Sequence, residues 1–140
     1  MSDALKFTYE ISGDDFTRAG EASGDAKRKL KQLGISPEAV RKVAIAMYEG
    51  EINMVIHADG GKIDVIITPE AITMILADKG PGIKDIEKAM QAGYSTAPDN
   101  IRALGFGAGM GLPNMKKYSD EMDIQTEIGV GTTVTMKVFI

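Results

Sequence analysis

The sequence predicts an α+β fold: a two-layer α/β sandwich in which helices cover one face of a mixed, mostly antiparallel sheet. Three observations predict it. Five short runs have strand character, three longer segments carry helical spacing, and 140 residues suit one domain, 1–140, with one substantial core.

"LKFTYEI" (Leu5–Ile11) alternates and reads as the first strand, closed by "SGDD". Phe16, Ala19, Ala26, Leu30 and Leu33 then recur at helical spacing, predicting a helix from about Asp15 to Leu33 that Gly20 and Gly24 weaken and Gly34 stops. The next helix starts at a Ser36 N-cap with Pro37 as its first residue, Ile35 and Val40 placed as a hydrophobic staple, and runs to His57. Val40, Val43, Ile45, Met47, Ile52, Val55 and Ile56 surround most of it, so it should be buried.

"KIDVIIT" (Lys62–Thr68) and "AITMILAD" (Ala71–Asp78) read as an antiparallel hairpin around "PE". After "KGPG" a short helix is expected at Ile83–Gly93. The stretch Tyr94–Gly111 is long for a connection, which in a compact domain marks a functional lid or disorder. A third main helix is expected at about Leu112 to Met122, and "DIQTEI" and "TTVTMKVFI" close the chain around the turn "GVG".

Composition excludes several functions. The net charge of −4 offers no electrostatic footprint for nucleic acid, and Lys27, Arg28, Lys29 and Lys31 suit a solvated helix C-terminus. With no cysteine and one histidine, disulfides, thiolate zinc and His-rich metal sites are excluded. The N-terminus lacks a signal peptide's apolar core and no run spans a bilayer, so a cytoplasmic location is expected, with no membrane partner.

The chemistry concentrates in four segments. "GFGAGMG" fits neither the dinucleotide fingerprint nor the P-loop. Its spaced glycines, followed by a helix at Leu112, would still let backbone N–H groups converge on phosphate oxygens; a flexible loop explains them equally well. Glu49 and Asn53 share one face of the second helix, roughly 40° apart around its axis. A carboxylate at the margin of a core suits a general base, and an amide oxygen one turn on suits Mg²⁺; a solvated helix edge is the plain alternative. Glu51 adds negative charge close to the same site. Asp78, before "KGPG", could accept from an adenine amino group, with Gly80 and Gly82 allowing close approach, or could simply start a turn. Thr132 in "GVGTT" belongs to a hairpin turn and could reach a base through water.

Taken together, "YEGEIN", "DKGPG", "GFGAGMGLPNM" and "GVGTT" resemble the boxes of the Bergerat-type (GHKL) ATPases in order and spacing, from about Ala39 to Val138. That superfamily includes DNA gyrase, a heat-shock chaperone family, mismatch-repair ATPases and histidine kinases. "AMQAGYSTAP" and "GMGLPNMKKYSDEMDI" look most like the bacterial anti-sigma-factor and switch-protein serine kinases. The resemblance implies ATP and Mg²⁺ as cofactors and the Bergerat ATP-binding fold. It implies Glu49 as the base that activates the attacking hydroxyl and Asn53 as the Mg²⁺ ligand. It places Asp78, Gly80, Gly82 and Thr132 around adenine, and Gly107, Gly109, Gly111 and Leu112 along the phosphates. The ATP lid would span about 94–111, with Arg102 reaching the γ-phosphate.

The resemblance further implies a protein serine/threonine kinase whose substrate is a small anti-sigma-antagonist (STAS) protein. A sigma factor is a second implied partner, and a homodimer stays open. A binding module that uses ATP as a conformational ligand is the alternative of a different class. A two-component histidine kinase catalytic domain fits less well, because no phosphoacceptor helical hairpin is present and His57 lies inside the presumed ATP helix.

Overall fold

The computed structural model describes residues 4–13, 18–57, 60–80 and 111–140. Among these, five strands and three helices follow in the order β1 (Leu5–Ser12), α1 (Glu21–Gln32), α2 (Pro37–His57), β2 (Gly60–Ile67), β3 (Ala71–Asp78), α3 (Gly111–Lys117), β4 (Glu121–Glu127) and β5 (Gly131–Phe139). The strands form one sheet in the order β1-β2-β3-β5-β4. All four pairings are antiparallel, the limit of the mostly antiparallel sheet expected.

Residues paired across antiparallel strands share a face, so the register defines the layers. Phe7, Val65, Met74, Met136 and Met122 form one row across the sheet, and Tyr9, Ile63, Leu76, Val134 and Ile124 the next. These rows face the helices: Val65, Ile63, Met74, Leu76, Val134 and Met136 are buried in one cluster with Leu30 of α1, Val43 and Met47 of α2 and Met115 of α3. The alternate positions, such as Lys6, Thr73, Thr135 and Asp123, occupy the other face, as period-two patterning requires.

α2 is the central helix, packed against α1, α3 and the sheet. The Ala39 N–H donates to Ser36 Oγ at 3.4 Å, which bears out the N-cap. Burial is not complete around the axis, because Glu38, Arg41 and Tyr48 leave an exposed stripe.

Two helix boundaries differ from expectation. α1 begins at Glu21, since Gly20 holds a left-handed φ of 97° that no right-handed helix can pass through. α3 ends at Lys117 instead of Met122. The Ser119 hydroxyl donates to the Met115 carbonyl at 2.7 Å and the Asp120 N–H to the Lys137 carbonyl at 2.8 Å, so the chain leaves the helix and joins the sheet ladder. Met122 consequently serves the core from β4, opposite Met136. The helix expected at Ile83–Gly93 lies outside the described residues.

Candidate functional site

The site is assembled on α2 where it crosses the C-terminal end of β3. A Cβ built on Gly50 would stand 2.2 Å from Leu76 Cδ2 and 3.2 Å from Met115 Cε, so the absent side chain lets α2 approach both the sheet and α3. One turn on, Met54 Cε lies 2.8 Å from where a Gly61 Cβ would be; that Cβ would also meet the Ala77 carbonyl at 2.1 Å. Gly61 pairs with Asp78. The glycines therefore bring the helix carrying Glu49 and Asn53 down onto the strand carrying Asp78.

Asp78 is partly buried at the edge of the helix-facing layer. Its Oδ1 accepts from the Gly80 N–H and the Thr132 N–H, each at 2.9 Å. Both bonds converge on one oxygen, which fixes the carboxylate and leaves Oδ2 to another donor. Gly131 tightens this corner, because a Cβ there would stand 2.2 Å from the Asp78 carbonyl oxygen. Thr132 is buried and its hydroxyl lies 2.9 Å from that of Thr126. Asp78, Gly80 and Thr132 are thus brought together, chiefly through the Thr132 backbone.

Glu49 and Asn53 both meet α3. Asn114 Nδ2 donates to Glu49 Oε1 at 3.4 Å, and Asn53 Nδ2 donates to Met115 Sδ at 3.8 Å. Burial pushes the Glu49 carboxyl above the ordinary glutamate range, and the Asn114 bond opposes that shift. Because the Asn53 nitrogen is turned to sulfur, its amide oxygen is the atom left for a cation. Gly111 opens α3, and the partly buried Leu112 side chain packs against the core, so a phosphate contact there would come from backbone. Gly82, Arg102, Gly107, Gly109 and most of the segment 94–111, where a lid is expected, lie outside the described residues.

Glu51 requires a correction. It is not a further charge in the site: at 2% exposure it turns to the other side of α2 and caps α1. Its Oε2 accepts from the Gly20 N–H at 3.0 Å and the Ala22 N–H at 3.2 Å, and its Oε1 from the Ser23 N–H at 3.0 Å. α1 has no side-chain cap of its own, because its N-cap residue is Gly20. The i, i+2 spacing of Glu49 and Glu51 was the available signal, since two residues turn a helix by roughly 200°. Sequence reasoning also passed over Asn114, Gly61 and Gly131, whose roles depend on neighbours far along the chain.

An antiparallel sheet lies under a long central helix whose acid and amide are turned to a glycine-led short helix, which makes the class a two-layer α+β sandwich. The family model of the histidine kinase-like ATPase domain matches residues 15–138, and the chain belongs to that family. Similar proteins include several named anti-sigma F factor. The one from Caldanaerobacter subterraneus subsp. tengcongensis is 33% identical, over 97% of this chain and 92% of its own length. That of Clostridium acetobutylicum is 31% identical over 95% and 90%, and that of Geobacillus stearothermophilus 29% over 95% and 88%. No helix among the described residues is long and apolar enough to cross a membrane.

Proposed function

We propose that this chain is an ATP- and Mg²⁺-dependent serine/threonine protein kinase of the anti-sigma regulatory type, acting in the cytoplasm on a small STAS-like antagonist protein. The observation that carries the reading is the Glu49 carboxylate: half-buried, held on one oxygen by Asn114, and one helical turn from Asn53. Asp78 Oδ2 would accept from the adenine amino group, with Gly80, Gly82 and Thr132 lining the base. Gly107, Gly109, Gly111 and Leu112 would lie along the phosphates, and Arg102 would reach the γ-phosphate from the lid.

Asn53 fits a Mg²⁺ ion, since its oxygen is the amide atom turned away from Met115. When bound with ATP, that ion neutralises charge on the phosphate oxygens. Glu49 removes the proton of the partner's serine hydroxyl; the serine oxygen forms a bond to the γ-phosphorus as the bond to the β-γ bridging oxygen breaks, and ADP leaves. Positioning and charge neutralisation supply most of the catalysis.

The names of the relatives favour a second reading, in which the chain holds a sigma factor and ATP acts as a conformational ligand. Glu49→Ala separates the two. Under the kinase reading it binds Mg·ATP nearly as the wild type does, and its transfer of labelled phosphate to a partner serine is about 10²–10⁴-fold slower. If wild type and variant alike retain a partner in an ATP-dependent complex and neither transfers phosphate, the kinase reading is wrong. Nucleotide affinity that excess EDTA leaves unchanged would remove the metal role of Asn53.

A further inference from the structure

We infer that Asn114 is a positioning residue for Glu49, holding one carboxylate oxygen so that the other faces the hydroxyl to be deprotonated. The inference rests on the kinase reading. Its geometric basis is a pair of adjacent α3 residues that meet the two site residues of α2: Asn114 bonds Glu49 and Met115 bonds Asn53. Met115 is 1% exposed and anchored in the core, so its neighbour is held at a defined place. The clearance at Gly50 sets the close approach of the two helices.

The chemistry of the amide suits the task. Its nitrogen can donate to a carboxylate but cannot take a proton from it, so Asn114 favours the ionised base without competing for the substrate proton. A donor on Oε1 also selects the carboxylate's orientation and leaves Oε2 for the substrate. Charged groups lie on every element packed around α2, among them Asp25 and Lys29 of α1, Asp64 of β2, Asp78 of β3, Lys137 of β5 and Lys116 and Lys117 of α3, with Glu51 on α2 itself. At Glu49 burial raises the carboxyl and the Asn114 bond opposes that shift.

Asn114→Leu is the decisive variant, because it keeps the branched shape and removes the donor without placing a second charge beside Glu49. With Mg·ATP and a partner serine it should lower kcat roughly ten- to a hundredfold, the cost of misplacing a catalytic group. The Mg·ATP dissociation constant should stay within about twofold, since only the transition state is affected. Asn114→Gln, which retains a donor, should recover part of the rate, and in a Glu49→Ala background Asn114→Leu should have no further effect. A packing role predicts the reverse order, with the similarly shaped leucine harmless and the longer glutamine worse; that result overturns the inference. Should Asn114→Leu not fold, Asn114→Ala makes the same comparison, and a wild-type rate from it is equally fatal. If the wild-type protein transfers no phosphate to any partner, the kinase reading falls by itself. Urea unfolding of the four-member cycle between positions 49 and 114 then decides the contact: additive effects overturn it and coupled effects support it.

Discussion

Glu49 and Glu51 lie two residues apart on α2 and face opposite neighbours. Glu49 meets Asn114 of α3, whereas Glu51 accepts three backbone N–H groups at the start of α1. Two acidic residues in one short motif therefore do different work. One carboxylate stands at the margin of the core where a hydroxyl could approach it, and the other closes a helix end whose own N-cap residue is a glycine.

Replacing Glu51 should destabilise the fold before it affects chemistry. Glu51→Ala leaves the buried Ala22 and Ser23 N–H groups and the partly buried Gly20 N–H without their acceptor, at about 1–3 kcal/mol for each buried one that stays unsatisfied. The urea midpoint should fall accordingly. A variant that unfolds at the wild-type midpoint would show that the cap contributes nothing.

Asp78→Asn should weaken nucleotide binding while preserving the corner. Asparagine can keep its oxygen on the Gly80 and Thr132 N–H groups, which turns its NH₂ toward the place where the adenine amino group would donate. Losing a charge-assisted bond worth about 1.5–3 kcal/mol corresponds to roughly tenfold or more in the dissociation constant. Calorimetry giving equal affinities would remove the adenine assignment.

The raised Glu49 carboxyl makes a linked pair of pH predictions. Under the kinase reading Glu49 acts as the base and must be ionised, so the acid limb of kcat/KM should lie above the ordinary glutamate range; a limb within that range would contradict it. For stability the sign is opposite to that of a salt-bridged acid. The folded state disfavours the carboxylate, so ionisation costs stability as pH rises from the unfolded value through the raised folded one. Glu49→Gln should accordingly be more stable than wild type at neutral pH, and the gain should vanish in acid. A gain that persists below the unfolded glutamate range would have another cause.

Tyr9 ties the edge strand to α1. Its hydroxyl donates to Asp25 Oδ2 at 2.6 Å, and Lys29 lies 3.0 Å from the same oxygen and over the Phe7 ring at 4.5 Å. Burial, then the bond to Asp25, raises the Tyr9 hydroxyl; the Tyr9 bond, then that of Lys29, holds Asp25 below its ordinary range. Tyr9→Phe should cost about 1.5 kcal/mol, the lower end for a charge-assisted bond because Asp25 is partly exposed. The Asp25 contribution is complete above its unfolded pKa and disappears as pH falls through the lower folded value, so the wild-type advantage over Tyr9→Phe should shrink in strong acid. An advantage independent of pH would argue for packing alone.

The sequence by itself determined most of the described elements and which side chains share a face. Alternation in "LKFTYEI", the Ser36–Pro37 helix start and the glycine after "TEI" each act within a few residues, and local backbone physics suffices to read them. The helical spacing of Glu49 and Asn53 likewise put both on one face. What only the tertiary structure decided lies between segments distant in the chain. Glu51 could be assigned to α1 only when the α1–α2 packing was known, because a helix records a residue's azimuth but not which neighbour occupies that side. Asn114 is 65 residues from Glu49 in sequence, and Thr132 is 54 from Asp78; no periodicity links them. The end of α3 was misplaced for the same reason: "NMKKYSDEM" has acceptable helical spacing, and only the β5 ladder, through the Lys137 carbonyl, draws Asp120 and the following residues into the sheet.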